Sequence, residues 1–363
     1  MLCTALTAVA QKRSNNIVLL MPFCSKQILA NPNHSDAQLG NLSREYYQGA
    51  LIALDSLERS NVPVRFSVFD TENDSTIMMN QLKKTQLKEA ELVLGPILQG
   101  GNKMMADFVK GKDTYHVSPL MTLSKTKLAD PNLISANPDL TNYGKLFYQH
   151  IKDQQKDSVN IIVISDKSSL DKTISAALRQ VSVQQKNVRI RTVEFKRGMD
   201  LMPYLSAKYR NHVVIPSTSE NTVNSALKSI KDTSLFGGIS VYGFPQWLDF
   251  KNPDYLLWQQ ANVTIASPFF IDYEREDVKA FILAYRERFF TEPSEAAFKG
   301  YDQLMFFANA LNEDGRKFAK KMEGRPQRML HTTFDFRQEE KNGYQNMYLN
   351  WIAIKELKLV KIN

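Results

Sequence analysis

The stretch "LVLGPILQGGNK", residues 92–103, sets a glycine-bearing loop between a strand-like run and a helix-like run. That order can cradle a phosphate, so the spacing decides. Gly95 and Gly100 have the four-residue gap of a P-loop, but the lysine is displaced to Lys103 and no Ser or Thr follows to hold Mg²⁺. No G-x-G-x-x-G occurs either, so nucleotide chemistry has no support. The five histidines, His34, His116, His150, His212 and His331, are scattered, with no pair at zinc-chelating spacing. His116 and His212 fall in strand patterns and read as structural residues. No G-x-S-x-G elbow offers a nucleophile. Asp70, Glu72 and Asp74 follow a strand and read as a turn and helix cap rather than a cation site. The expectation is a protein that is not an enzyme and carries no cofactor or metal.

What remains is capture of a ligand by loops. In open α/β sheets, ligands sit outside the carboxyl ends of strands. The candidate loops are Gln99–Asn102, Ser118–Ser124, Ser165–Ser169, Ser217–Ser219 and Gly243–Trp247. Their side chains and free amides suit a small polar molecule. The candidate binding residues are Gln99, Gly100, Gly101, Asn102, Ser118, Thr122, Ser168, Ser217, Gln246 and Trp247.

Those loops must be carried by elements the pattern reveals. Apolar runs at 16–23, 64–70, 91–96, 114–120 and 132–138 read as strands. Helical spacing covers 43–59, 75–88 and 102–110. The pattern restarts with helix 140–154, strand 159–165, helix 169–183, strand 188–195, strand 212–217, helix 219–231 and strands 238–244 and 263–270. Helices at 275–290 and 295–311 follow, then a tail of strands with a turn at Asn342-Gly343. Repeated βα units with near-continuous apolar strands imply parallel sheets covered by helices on both faces. The fold class is α/β, with two doubly wound parallel-sheet lobes.

A chain of 363 residues has room for two domains. No apolar run reaches the 18 residues of a membrane helix. Residues 1–15 hold a short apolar run ending in Ala8-Val9-Ala10 and read as the remnant of a secretory signal plus a tail, which points to a periplasmic protein with a truncated signal. Cys24, the one cysteine left after such cleavage, reads as a buried apolar residue. The net charge is +8, without a dense basic run interleaved with aromatics, so no nucleic-acid partner is expected.

Eight stretches in order give a resemblance. They are "YYQGALIALDSL", "VFDTENDST", "LVLGPILQGG", "HVSPLMT", "NIIVISDKSSLD", "VTIASPFFIDY", "VKAFILAYRERFF" and "AAFKGYDQLMFFANAL". With them the chain resembles a type I periplasmic binding protein, the branched-chain amino-acid-binding class. The resemblance implies three crossings, near 138, 268 and 325, with lobe 1 formed by 16–138 plus 267–325 and lobe 2 by 139–266 plus 326–363. It implies a small polar ligand captured by hinge closure, and a membrane permease of the ABC type as partner. Splitting the charge at 1–138 plus 267–314 against 139–266 plus 315–363 gives −3 and +11, which points the positive lobe at an acidic partner or envelope polymer.

The resemblance carries over unevenly. The loop after the third strand has amides but lacks the family's hydroxyl, while Thr122 keeps its place. Leu170 stands where an aromatic is usual. Gly243-Phe244-Pro245-Gln246-Trp247 lacks the acid that pairs with a ligand ammonium. An ammonium buried without a counter-charge costs several kcal/mol. A neutral, ring-like or amide ligand is therefore expected over a free amino acid. The alternative is a ligand-free adaptor of the same fold, acting through protein contacts in the cell envelope, as in relatives that stimulate peptidoglycan synthases.

Overall fold

The computed structural model describes residues 14–120, 130–154, 158–183, 187–230, 238–339 and 343–363. Thr122, Asn342 and the signal-like segment therefore lie outside the described residues.

The chain runs β1 (Asn15–Met21), α1 (Ser25–Ala30), α2 (Ala37–Arg59), β2 (Val64–Asp70), α3 (Ser75–Leu82), α4 (Thr85–Lys88), β3 (Leu92–Leu94), α5 (Gln99–Val109), β4 (Tyr115–Ser118) and β5 (Leu133–Ser135). It continues α6 (Leu140–Gln154), β6 (Val159–Ser165), α7 (Ser169–Val183), β7 (Val188–Glu194), β8 (Asn211–Val214), α8 (Glu220–Lys228), β9 (Ile239–Gly243), α9 (Tyr255–Gln260) and β10 (Val263–Ser267). The last part is α10 (Glu276–Phe289), α11 (Glu295–Asp314), α12 (Phe318–Lys321), β11 (Gln327–Arg328), β12 (Thr333–Phe334), β13 (Phe336–Glu339), β14 (Gly343–Asn346), β15 (Asn350–Lys355) and β16 (Lys358–Lys361).

Two seven-stranded sheets result, in the orders β13-β14-β5-β4-β3-β1-β2 and β16-β15-β10-β9-β8-β6-β7. Strands β1 to β5 pair in parallel, as do β6 to β10. The second sheet gains antiparallel strands at its end, β15 on β10 and β16 on β15. The tail thus closes sheets as hairpin strands do, without crossover helices.

The chain divides into two compact units, 1–136 with 273–325 and 337–344, and 137–272 with 326–336 and 345–363. Split this way, the first unit holds 26 Lys and Arg against 24 Asp and Glu, and the second 20 against 14. The charge difference is +2 against +6, smaller than the sequence split gave, because residues 315–325 bring a net +4 to the first unit and Asp272 passes to the second, while residues 337–344 are neutral in sum.

Central strands are buried on both faces, which is why they read as unbroken apolar runs. Ile17 to Met21 of β1 and Ile161 to Ile164 of β6 are at most 2% exposed. In the first unit, α2 and α11 touch backbone to backbone. A Cβ on Gly49 would lie 1.8 Å from the Ala297 carbonyl oxygen, and one on Gly300 would lie 1.9 Å from that of Tyr46. Beside this crossing, Tyr46 donates to Gln303 Oε1 at 2.8 Å and Gln303 donates to the Pro119 carbonyl at 2.9 Å.

The acidic turn acts as a cap. Asp70 accepts the amides of Cys24 and Ser25 at 3.2 and 3.0 Å and the Ser25 hydroxyl at 2.7 Å. Glu72 accepts the Lys26 amide, and Asp74 accepts that of Ile77 at 2.8 Å. These carboxylates satisfy the orphan donors of α1 and α3. Cys24 is fully buried, as its composition context implied. His116, also fully buried, pairs with Asp130 at 2.6 Å.

Candidate functional site

In each sheet the strand order reverses once beside the first strand laid down. From β1 the chain goes to β2 on one side and then returns to β3 on the other; from β6 it goes to β7 and returns to β8. Such switch points open a crevice outside the carboxyl ends of the flanking strands.

In the first unit a cavity of about 260 Å³ lies at that place, lined by Pro22, Thr71, Asn73, Asp74, Ser75, Met78, Pro96, Ile97, Leu98, Gly100, Gly101 and Met104. Pro22 follows β1, Thr71 to Ser75 follow β2, and Pro96 to Gly101 follow β3. The lining is mostly apolar. The polar groups are the short side chains of the β2 loop and the first turn of α5. There the sequence expectation needs correcting: Gln99 to Asn102 form helix, not loop, because α5 starts at Gln99. The first intrahelical amide is that of Asn102, which donates to Leu98 at 3.1 Å. The amides before it have no helical partner. They stand at the positive end of the helix, against the cavity. Gly101 is closely walled, since a Cβ there would meet Pro96 Cγ at 2.8 Å, whereas around Gly100 a Cβ meets nothing within 4 Å. Asn102 is fully buried and donates its side-chain amide back to Leu98 at 3.1 Å, so it serves the helix.

Ser118 is the buried last residue of β4, and its carbonyl accepts the Ala136 amide at 3.2 Å. It sits inside the sheet rather than on the cavity.

The second unit brings three predicted residues together through one the sequence reading did not name, Asp166. Asp166 follows β6 directly. Its Oδ1 accepts the Ser168 amide at 2.9 Å, and the nearby hydroxyls of Ser168 and Ser217 favour its charged form. Burial pushes the Asp166 carboxyl up, but these groups outweigh it and the carboxyl ends below its ordinary value. Ser217, in the loop after β8, is fully buried and its Oγ accepts the Ser219 amide at 3.2 Å. Trp247 donates its indole N–H to the Ser217 carbonyl at 2.9 Å.

Trp247 was expected to face a ligand. It is 1% exposed and belongs to the core, with ring centroids 5.5 Å from Trp258 and 6.1 Å from Phe250. Gly243 makes room for it, since a Cβ there would lie 2.4 Å from the indole. Gln246, its neighbour, is exposed. Leu170 packs on the core beneath α6 and α7.

A nearby carboxylate has a different task. Asp171 accepts the hydroxyls of Ser165 and Ser175 and the Lys167 amide at 3.1 Å, which locks the turn after β6. Lys167 adopts φ 63° within that turn and its Nζ lies 2.7 Å from Glu194.

These two parallel sheets, with loops of this kind at their switch points, can now be set beside known proteins. The sequence profile described as "Periplasmic binding protein" matches residues 36–352. The chain belongs to the periplasmic binding protein family. Its fold is that of the type I class. No curated protein matches it in sequence. Among solved structures, a Rhodospirillum rubrum protein provisionally classed as a branched-chain amino acid ABC transporter is 14% identical, with TM-score 0.70 over 96% of this chain and 100% of that one. An ABC transporter substrate-binding protein from Desulfitobacterium hafniense, in complex with Leu, is 13% identical with TM-score 0.54, over 96% and 100%. Full-length LpoA from Haemophilus influenzae is 14% identical with TM-score 0.65, over 97% of this chain and 59% of LpoA. At such identities the likeness concerns the fold. No described helix of this periplasmic binding protein is long and apolar enough to cross a membrane.

Proposed function

We propose that the protein is an extracytoplasmic solute-binding protein of the kind that serves an ABC-type transporter. The first unit takes the apolar body of a small molecule. The carrying observation is the cavity of about 260 Å³ at the first switch point, with apolar walls and the unpaired amides of Gly100 and Gly101 at one end. Apolar walls with a few convergent donors are the usual makeup of a small-molecule site. The donors favour an acceptor such as a carbonyl or carboxylate on the ligand.

The test is thermal unfolding of the full chain against a metabolite panel, repeated on Gly100→Leu. A ligand at one hundred times its Kd adds roughly 2.7 kcal/mol. A leucine at this open helical position fills the cavity mouth without a backbone clash. The expected result is a ligand shift in the native protein that disappears in the variant, with unliganded stability held or raised. Ligand binding that survives Gly100→Leu unchanged would place the site elsewhere.

A second reading, an adaptor that acts by protein contact, is favoured by the likeness to LpoA, whose C-domain is described as a regulator of PBP1A. That domain matches with TM-score 0.62 over 96% of this chain and 99% of its own length. The burial of Trp247 removes one expected ligand contact and agrees with this reading. Co-purification with a peptidoglycan synthase, and no response to any compound, is the outcome that would favour it.

A further inference from the structure

We propose that the second unit carries a separate groove, between β7 and α8, for an anionic saccharide, a sugar chain with both hydroxyls and negative charge. The inference does not depend on what the first unit's cavity holds.

The groove has a volume of about 470 Å³. Phe195 and Arg197, after β7, line one side, and Asn221, Asn224, Ser225 and Lys228 of α8 line the other. These four α8 residues recur at steps of three and four, so they form one stripe of the helix. Val223, Ala226 and Leu227, on the remaining stripe, are buried in the core. On β7, Val188 and Ile190 pack against one core cluster, while Val193 and Phe195 join the other. Strand alternation then sets Arg189 and Arg191 on the face of Val193 and Phe195, the face toward the groove. Both arginines are exposed, because β7 is the last strand of its sheet.

The charge of the groove is uncompensated. Arg197 and Lys228 are exposed and make no ion pair among the described residues. The carboxylates nearest in sequence are engaged elsewhere. Glu194 pairs with Lys167 at 2.7 Å, Glu220 accepts the amides of Lys251 and Asn252, and Asp200 accepts that of Met202. Two unmatched cations at one groove call for an anion, and the arginine fork suits a carboxylate or a phosphate. Arg189 and Arg191 continue the positive charge along β7, which favours a chain over a single sugar.

Charge alone does not choose the ligand. Asn224 Oδ1 is buried with no hydrogen-bond partner among the described residues. An unmet buried acceptor is costly and requires a donor, which a bare anion lacks. A sugar hydroxyl supplies that donor. Asn221 and Ser225, on the same stripe, carry groups that both donate and accept. Phe195, half-buried, gives an apolar surface for the C–H face of a ring. An acidic peptide shares the charge but lacks a hydroxyl on every unit, and the test separates the two.

The test is isothermal titration calorimetry on the full chain with three probes. They are trigalacturonate, neutral maltotriose, and acetylated, amidated triglutamate, which matches the first in carboxylates. Trigalacturonate should bind saturably, about tenfold or more tighter than the other two, and more weakly as salt is added. Arg197→Gln combined with Lys228→Gln should weaken it by about tenfold or more. Both side chains are exposed, and a native thermal midpoint shows that the variant is folded. Asn224→Ala should weaken trigalacturonate and leave triglutamate unchanged. No saturable binding of trigalacturonate, equal affinity for either other probe, or unchanged affinity in the double variant would overturn the proposal. Gly100→Leu should bind trigalacturonate as the native protein does. Loss of binding there would move the saccharide to the first unit's cavity, removing this site and leaving the solute-binding reading standing.

Discussion

The indole N–H of Trp247 reaches the carbonyl oxygen of Ser217 at 2.9 Å, across loops that follow two adjacent strands, β9 and β8. The contact is buried on both sides. It fixes the loop after β8, and with it the Ser217 hydroxyl, which stands near Asp166 and favours its charged form. A core residue therefore positions a polar group beyond the carboxyl ends of the strands.

Trp247→Phe tests that coupling. The ring loses its donor and part of its volume, leaving the Ser217 carbonyl unsatisfied and a cavity beside Trp258. Together these should cost roughly 2–4 kcal/mol. Urea unfolding should show a lower midpoint with an unchanged slope. The carboxyl of Asp166 should also titrate at higher pH, since the Ser217 hydroxyl is released. A stability loss with no change in that titration would mean Ser217 is held by its own turn.

The glycines make a paired prediction. Gly300→Ala forces a Cβ within 1.9 Å of the Tyr46 carbonyl oxygen, where backbone on both sides resists displacement. Overpacking of this kind should cost about 3 kcal/mol and separate α2 from α11. Gly100→Ala, in open space on the first turn of α5, should be neutral or gain up to about 1 kcal/mol. Thermal unfolding of the two variants side by side gives the contrast. Equal effects would show that the helix crossing relaxes.

How much of this was readable beforehand follows from the range over which each feature is encoded. The strands and their order of appearance were legible, since buried parallel strands announce themselves as apolar runs such as "NIIVIS". The start of α5 is not legible locally because Gln99, Gly100 and Gly101 carry loop-like residue types, and of these Gly101 is walled by Pro96 and Met78, residues distant in sequence or on the preceding loop. Trp247 was misplaced because an aromatic after a strand looks the same whether it faces a crevice or the core. Gly243, four residues earlier, was the available signal for an inward ring. The first cavity and Asp166 depend on strand order, which brings β3 next to β1 and β8 next to β6. That is a long-range fact, and no local spacing encodes it.

Asp70 carries a second-unit-independent prediction about Cys24. Burial first, then the charges of Asp36, Asp70 and Glu72, push the Cys24 thiol up to about 11. At neutral pH it should resist a thiol reagent until α1 opens. Asp70→Ala removes the acceptor for the Cys24 and Ser25 amides and should cost about 1–3 kcal/mol locally. Labelling of Cys24 should then accelerate well before global unfolding. Labelling that tracks only the global transition would show that α1 does not depend on this cap.

The last prediction concerns acid. His212 is fully buried in the second sheet and its Nδ1 lies 3.1 Å from the Tyr242 hydroxyl. Burial, with Arg210 and His150 adding to it, brings its pKa from 6.5 down to about 4. His150 stacks on Trp351 at 3.6 Å and is also brought down to about 4, by burial, with Asp153 opposing. In the unfolded chain both protonate near 6.5, so the unfolded state binds more protons between these values. Stability should be fully present above pH 6.5 and fall as pH drops toward 4. For His212 alone the fall is about 3 kcal/mol, and the two effects are coupled through their mutual repulsion. His150→Phe keeps the stacking on Trp351 and removes one titrating group, so the slope of stability against pH in this window should become shallower. Denaturant midpoints measured from pH 7 to pH 4 on both proteins decide it. Identical pH profiles would mean that His150 is already open to water in the folded state.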